Sequence, residues 1–223
     1  MFNFDITSII IMVLCFVPAI VCHEVMHGYA AYKLGDPTAK SQGRLSLNPV
    51  KHIDPFGTVV LPLILVFMGM PPFGYAKPVP YNPRYFKNAR TGDVIVGLAG
   101  PFANLVLALI GAAVTWILWT FFPLALFSFD QVIFVFLFQF AYINLVLMFF
   151  NLLPIPPLDG SSVLALFIPE KHLPKYYQVQ RYALPILLVI VFVLPYIFSV
   201  SPISIYFGAT ADNLVSLLFF FLG

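Results

Sequence analysis

Apolar runs recur along this chain at about the length a helix needs to cross roughly 30 Å of hydrocarbon at 1.5 Å per residue, and that recurrence limits the possible folds more than any other feature. They cover Ile6–Cys22, continuing through a polar-marked stretch to Leu34, then Val59–Met70, Val94–Trp119, Gln131–Phe150, Tyr182–Ile197 and Ile203–Leu222. With 9% charged residues among 223, there is too little polar surface to cover a water-soluble globule. The expected fold is an all-α polytopic membrane protein with about six hydrophobic segments and five or six crossings. Neither a repeat nor a long linker divides it, so residues 1–223 read as one membrane-embedded domain, its core at 6–168 and further helices at 178–223. The first run is expected to stay attached: Met1–Ser8 carries Asp5 but no Lys or Arg, and no small-residue cleavage site precedes the histidines. Cys15 and Cys22 are seven residues apart on one helix, about 10 Å along its axis and too far for a disulfide.

Basic residues report sidedness. Lys33, Lys40, Arg44 and Lys51, then Lys77, Arg84, Lys87 and Arg90, flank the second apolar run, whereas 121–129 has none and 159–181 carries Lys171, Lys175 and Arg181. The positive-inside rule puts these clusters in the cytoplasm. Such a distribution follows topology and forms no nucleic-acid-binding tract, so nucleic acid is excluded as a partner. A full crossing by Val59–Met70 would strand one basic cluster outside; its shortness and Pro62 favour a re-entrant or shallow segment. His27 and Asp159 then arrive on the same, cytoplasmic, side.

His23-Glu24-Val25-Met26-His27 is an H-E-x-x-H motif on the first helix. Four residues put both imidazoles on one face, one turn apart, where two nitrogens can share a zinc ion. Glu24, about 100° around the helix from His23, is placed to act as general base without being a ligand. The plain alternative is a chance match whose histidines bond backbone. Three ionisable residues within five in an apolar span, each costing about 2.5–3.5 kcal/mol on insertion scales, argue for an offsetting metal.

Catalytic zinc takes three protein ligands and keeps a fourth position for water. Asp159 is the best third ligand, because it follows an apolar helix in Asn151-Leu-Leu-Pro-Ile-Pro-Pro-Leu-Asp159-Gly160, where three prolines break the helix and expose backbone that only a polar cavity tolerates. Its other reading is an N-cap for a helix beginning near Ser161.

Further residues keep two readings each. Asn104, beside small Gly97 and Gly100, either lines the cavity or bonds a neighbouring helix. His52 either approaches the open metal position or bonds Asp54 or backbone. Phe73–Pro83 has aromatic and β-branched residues with prolines that forbid a helix, and reads as a short membrane-dipping strand or hairpin that pairs with substrate, or as an irregular loop.

Taken together, H-E-V-M-H-G at 23–28, the stretch Gly43–Thr58, G-L-A-G-P-F-A-N at 97–104 and N-L-L-P-I-P-P-L-D-G at 151–160 resemble the site-2 protease family of intramembrane metalloproteases, in its small branch without an appended PDZ or CBS domain. The resemblance implies zinc on His23, His27 and Asp159, Glu24 as catalytic acid and base, and membrane-protein substrates, single-span or polytopic. It also implies that Asn151 contacts substrate or the developing oxyanion; a helix C-cap is the other account of that residue. A bacterial plasma membrane is the expected location. Competing functions are a zinc transporter, which gives Glu24 no role, another membrane metalloenzyme such as a prenyl-protein protease, and an inactive scaffold, which leaves the full ligand set without purpose.

Overall fold

A computed structural model describes residues 6–67, 74–122, 130–180, 182–193, 195, 197 and 201–222. Among the described residues, three helices are long and apolar enough to cross a bilayer: α1 (Ile6–Lys33), α3 (Ala89–Phe121) and α4 (Asp130–Leu152). Between the first two lies the short α2 (Leu61–Phe67). After α4 come α5 (Gly160–Phe167), α6 (Leu173–Gln180), α7 (Ala183–Leu188), α8 (Pro202–Phe207) and α9 (Asn213–Leu218), the last two joined through a π turn at Gly208–Asp212. α3 begins five residues ahead of its apolar run because the Asn88 side chain accepts from the Thr91 amide and caps it.

α3 packs against both α1 and α4, and its contact face is a stripe of small residues: Gly97, Gly100, Ala103, Ala108, Gly111 and Ala112. In a bilayer, where lipid is as apolar as leucine, such faces hold helices together by letting backbones approach. The main buried cluster joins Ala108 and Ala112 of α3 to Ala141, Leu145 and Met148 of α4 and to Val215 of α9.

The described residues on either side of the second apolar run lie together. Asp54 caps a π turn at Pro55–Val60 by accepting from the Gly57 amide, and α2 continues it; residues 68–70 of the run lie outside the described residues. By Tyr75 the chain has returned to where it left: the Tyr75 amide donates to the Gly57 carbonyl at 3.1 Å, and the Thr58 hydroxyl to the Tyr75 carbonyl at 2.9 Å. The strand or hairpin expected over Phe73–Pro83 needs correcting. Phe73 lies outside the described residues, and no residue from 74 to 82 belongs to a strand ladder. Pro78 and Pro80 carry no N–H, and the amides of Tyr75, Lys77 and Val79 are spent on Gly57, His52 and Glu24, so the strap closes no hairpin on itself.

Candidate metal centre

Helix periodicity does locally what the motif implied: His23 and His27 sit one turn apart on α1, buried at 5% and 8% exposure, against α3. Their Nε2 atoms are 3.0 Å apart. The three prolines after α4 end that helix and swing Asp159 back, so that its Oδ2 lies 3.0 Å from His23 Nε2 and 3.4 Å from His27 Nε2. Asp159 stands at the N-cap position of α5 but makes no capping bond there, which removes the alternative reading of that residue.

Protons decide what such a triangle is for. The Nδ1 of His23 lies 2.7 Å from the Asn104 side-chain oxygen, and the Nδ1 of His27 lies 2.7 Å from the Val96 carbonyl. Both partners only accept, so each Nδ1 carries a proton, and in the neutral imidazole that leaves the Nε2 lone pair turned inward, the form a metal ligand takes. In that form two lone pairs and a carboxylate oxygen face one another, and Asp159 Oδ2 is buried with no hydrogen-bond donor. A divalent cation resolves the clash: four ligands at about 2.0–2.1 Å in a tetrahedron stand roughly 3.3 Å apart, close to the separations here. Among the described residues, this is the group of three or more His, Cys, Asp or Glu side chains able to hold an ion.

The cluster opens on a cavity of about 540 Å³ that also takes in Glu24, Tyr75, Ala76, Val79, Leu147 and Asn151. Glu24 is outside the triangle, and its Oε2 accepts the Val79 amide at 2.9 Å. A second cavity of about 500 Å³, lined by Arg90, Asp93, Ser161, Ser162 and Tyr176, meets the first at Asp159 and Gly97.

Other candidates fall elsewhere. Asn104 is fully buried behind His23 and does not line the cavity; of its two readings, the bond to a neighbouring helix is the one the structure displays. Asn151 does line it, with its amide nitrogen donating to the Leu147 carbonyl at 3.0 Å. His52 is buried next door, its Nε2 2.8 Å from the Ser46 carbonyl, and does not join the cluster. Sequence reasoning missed two contributors: the Val96 carbonyl, a backbone group any residue could supply, and Gly100, whose absent side chain leaves room for both imidazoles.

Comparison with known proteins agrees with this geometry. The signature of Peptidase family M50 matches residues 123–194. A Bacillus subtilis protein named "Putative zinc metalloprotease YwhC" is 42% identical over 184 residues, covering 82% of this chain and 80% of that protein. The chain belongs to peptidase family M50. Two further relatives, the "Putative zinc metalloprotease Rip2" proteins of Mycolicibacterium smegmatis and Mycobacterium tuberculosis, are 32% and 31% identical over 151 residues, 68% of this chain; the chain spans about half their length, 52%. No solved structure matches. As an M50 member the chain is a zinc metalloprotease of the membrane, and its three converging acceptors offer the ion a place.

Proposed function

We propose that this M50 protease cuts peptide bonds in or near transmembrane segments of single-span or polytopic membrane proteins, holding one zinc ion on His23 Nε2, His27 Nε2 and Asp159 Oδ2. The observation that carries the ligand set is the convergence of those three atoms within 3.4 Å of one another. When bound, the ion supplies Lewis-acid polarisation of a carbonyl and lowers the pKa of its water to about 7. Glu24 is the acid and base: one oxygen is steadied by the Val79 amide, and the other takes a proton from water and returns it to the leaving amine. Asn151 keeps a second amide hydrogen for the oxyanion, a contribution typically about 2.7–4 kcal/mol where the donor is preorganised.

A substrate helix must unwind before a carbonyl reaches the ion, since its amides are tied up in its own ladder. The strap at 74–82 supports a way to hold the opened chain. Its amides at Tyr75, Lys77 and Val79 all serve one edge, and Ala76 between them, at the cavity wall, keeps its N–H and C=O for a strand supplied by substrate. Lys33 closes α1 beyond His27, Arg44 reaches the Lys77 carbonyl and Arg90 lines the polar cavity beside Asp159, which favours a cytoplasmic-facing site with that cavity as the route for water. Glu24→Gln tests the reading in purified, liposome-reconstituted protein. Zinc content should match the parent while cleavage of a single-span substrate falls by roughly 10²–10⁴. Equal cleavage would remove Glu24 from the mechanism, and zinc uptake into the liposomes would favour transport.

A further inference from the structure

Buried behind His23 is a run of side-chain hydrogen bonds crossing all three long helices. His23 on α1 meets the oxygen of Asn104 on α3 at 2.7 Å. The Asn104 nitrogen donates to the Ala19 carbonyl at 3.2 Å and to the side-chain oxygen of Asn144 on α4 at 2.9 Å. The Asn144 nitrogen in turn donates to the Phe140 carbonyl at 2.8 Å. Both asparagines are 0% exposed, so no water competes for these groups.

Direction is what makes the run informative. An amide side chain can be flipped, exchanging its oxygen and nitrogen, unless its neighbours forbid it. Here both ends are backbone carbonyls, which only accept. Phe140 therefore forces the Asn144 nitrogen toward itself and its oxygen toward Asn104. Asn104 must then aim its NH2 at Asn144 and Ala19, and its oxygen at His23. A neutral His23 is left with one tautomer, a proton on Nδ1 and a lone pair on Nε2. On the reading of a zinc centre at His23, His27 and Asp159, we infer that Asn144 is a positioning residue that sets the His23 tautomer through Asn104 and so readies Nε2 for the ion. His27 needs no such relay, because the Val96 carbonyl fixes its Nδ1 directly.

Without Asn144, Asn104 keeps one anchor and gains an unsatisfied buried N–H. Flipping its amide then offers NH2 to His23 and puts the imidazole proton on Nε2, where the ion belongs. Outer partners of metal-bound histidines typically carry 10–100-fold in affinity.

The test compares Asn144→Val with Asn144→Thr in the full chain in detergent. The two have nearly the same shape, but threonine can bond the carbonyl four residues back, as Thr115 does to Gly111 at 2.8 Å, and still accept from Asn104. Zinc affinity by chelator competition should fall 10–100-fold in the valine variant and stay within about threefold of the parent in the threonine variant. In zinc-free protein labelled with ¹⁵N-histidine, the valine variant should move the His23 proton toward Nε2 and leave His27 unchanged. Thr115→Val, the loss of another buried hydroxyl in α3, should lower the melting temperature without touching zinc affinity. Equal zinc affinity in parent and valine variant, with the His23 proton still on Nδ1, overturns the relay alone. A parent chain that takes up no zinc overturns the metal centre itself.

Discussion

Gly100 has no side chain because the site leaves no room for one. A Cβ there would stand 2.5 Å from His27 Nε2 and 2.6 Å from His23 Nε2, atoms whose positions are set by hydrogen bonds on the far side of each ring. Alanine is the better helix former by about 1 kcal/mol, so Gly100→Ala should not weaken α3 as a helix. It should instead displace the imidazoles: zinc affinity drops at least tenfold while circular dichroism and detergent solubility match the parent. Unchanged affinity would mean that the two rings move freely enough to make way. Gly97 works on the neighbouring turn, where a Cβ would meet the Ser162 hydroxyl and stand 3.1 Å from the Asp159 carbonyl, which keeps the aspartate's loop tight against α3.

Among the elements, the strap at 74–82 reaches the site with no regular structure of its own. Arg44, buried at 8% exposure, donates to the Lys77 and Pro78 carbonyls at 2.8 and 3.2 Å, and Val79 reaches Glu24. At its far end the Asn82 amide donates to Asp36 at 2.6 Å, and Asp36 also accepts from the Thr38 amide and hydroxyl. Burial pushes the Asp36 carboxyl up, but the bonds from the Thr38 side chain and from the Asn82 and Thr38 backbone outweigh it, and the carboxyl titrates below its ordinary value. A depressed folded pKa stabilises the folded state above the unfolded value of about 3.9, and that contribution is lost as pH falls through the folded one. Protection of the Asn82 amide against hydrogen exchange, relative to its intrinsic rate at each pH, should accordingly fall below about pH 4, and Asp36→Asn should flatten the dependence. Deleting residues 75–80 should abolish cleavage and spare zinc content, because none of the three ligands lies on the strap; undiminished cleavage would retire the strand-pairing role.

Over the whole molecule, the three proposed ligands come from α1 and from the turn between α4 and α5, with α3 packed between and supplying a bond to each histidine. Binding therefore ties together segments that the bilayer alone would only hold side by side. A ligand at 100 times its Kd stabilises the state that binds it by about 2.7 kcal/mol, which for a chain of this size corresponds to roughly 5–10 °C. Zinc added to chelator-stripped protein should raise the melting temperature by that order and restore cleavage, and Asp159→Asn should abolish the rise. A parent protein whose melting is indifferent to zinc would contradict a ligand set spanning both segments.

Much of this was legible from local physics. Hydropathy and the 1.5 Å rise marked α1, α3 and α4, and the four-residue helical repeat put His23 and His27 on one face before any contact was known. Proline marked where α4 ends, and the basic residues anticipated an excursion after Thr58 that returns to its start. What a lone sequence leaves undecided is where a side chain points when two local uses are open to it. Asp159 occupies a capping position without capping, Asn104 backs a histidine where it was equally well placed to line a cavity, and the residues at 74–82 donate their amides to α1 and the 52–57 loop in place of each other. Those choices depend on groups distant in the chain, 55 residues between Val79 and Glu24 and 81 between Asn104 and His23, so only tertiary packing, by bringing an acceptor or donor within reach in a medium without water, could settle them.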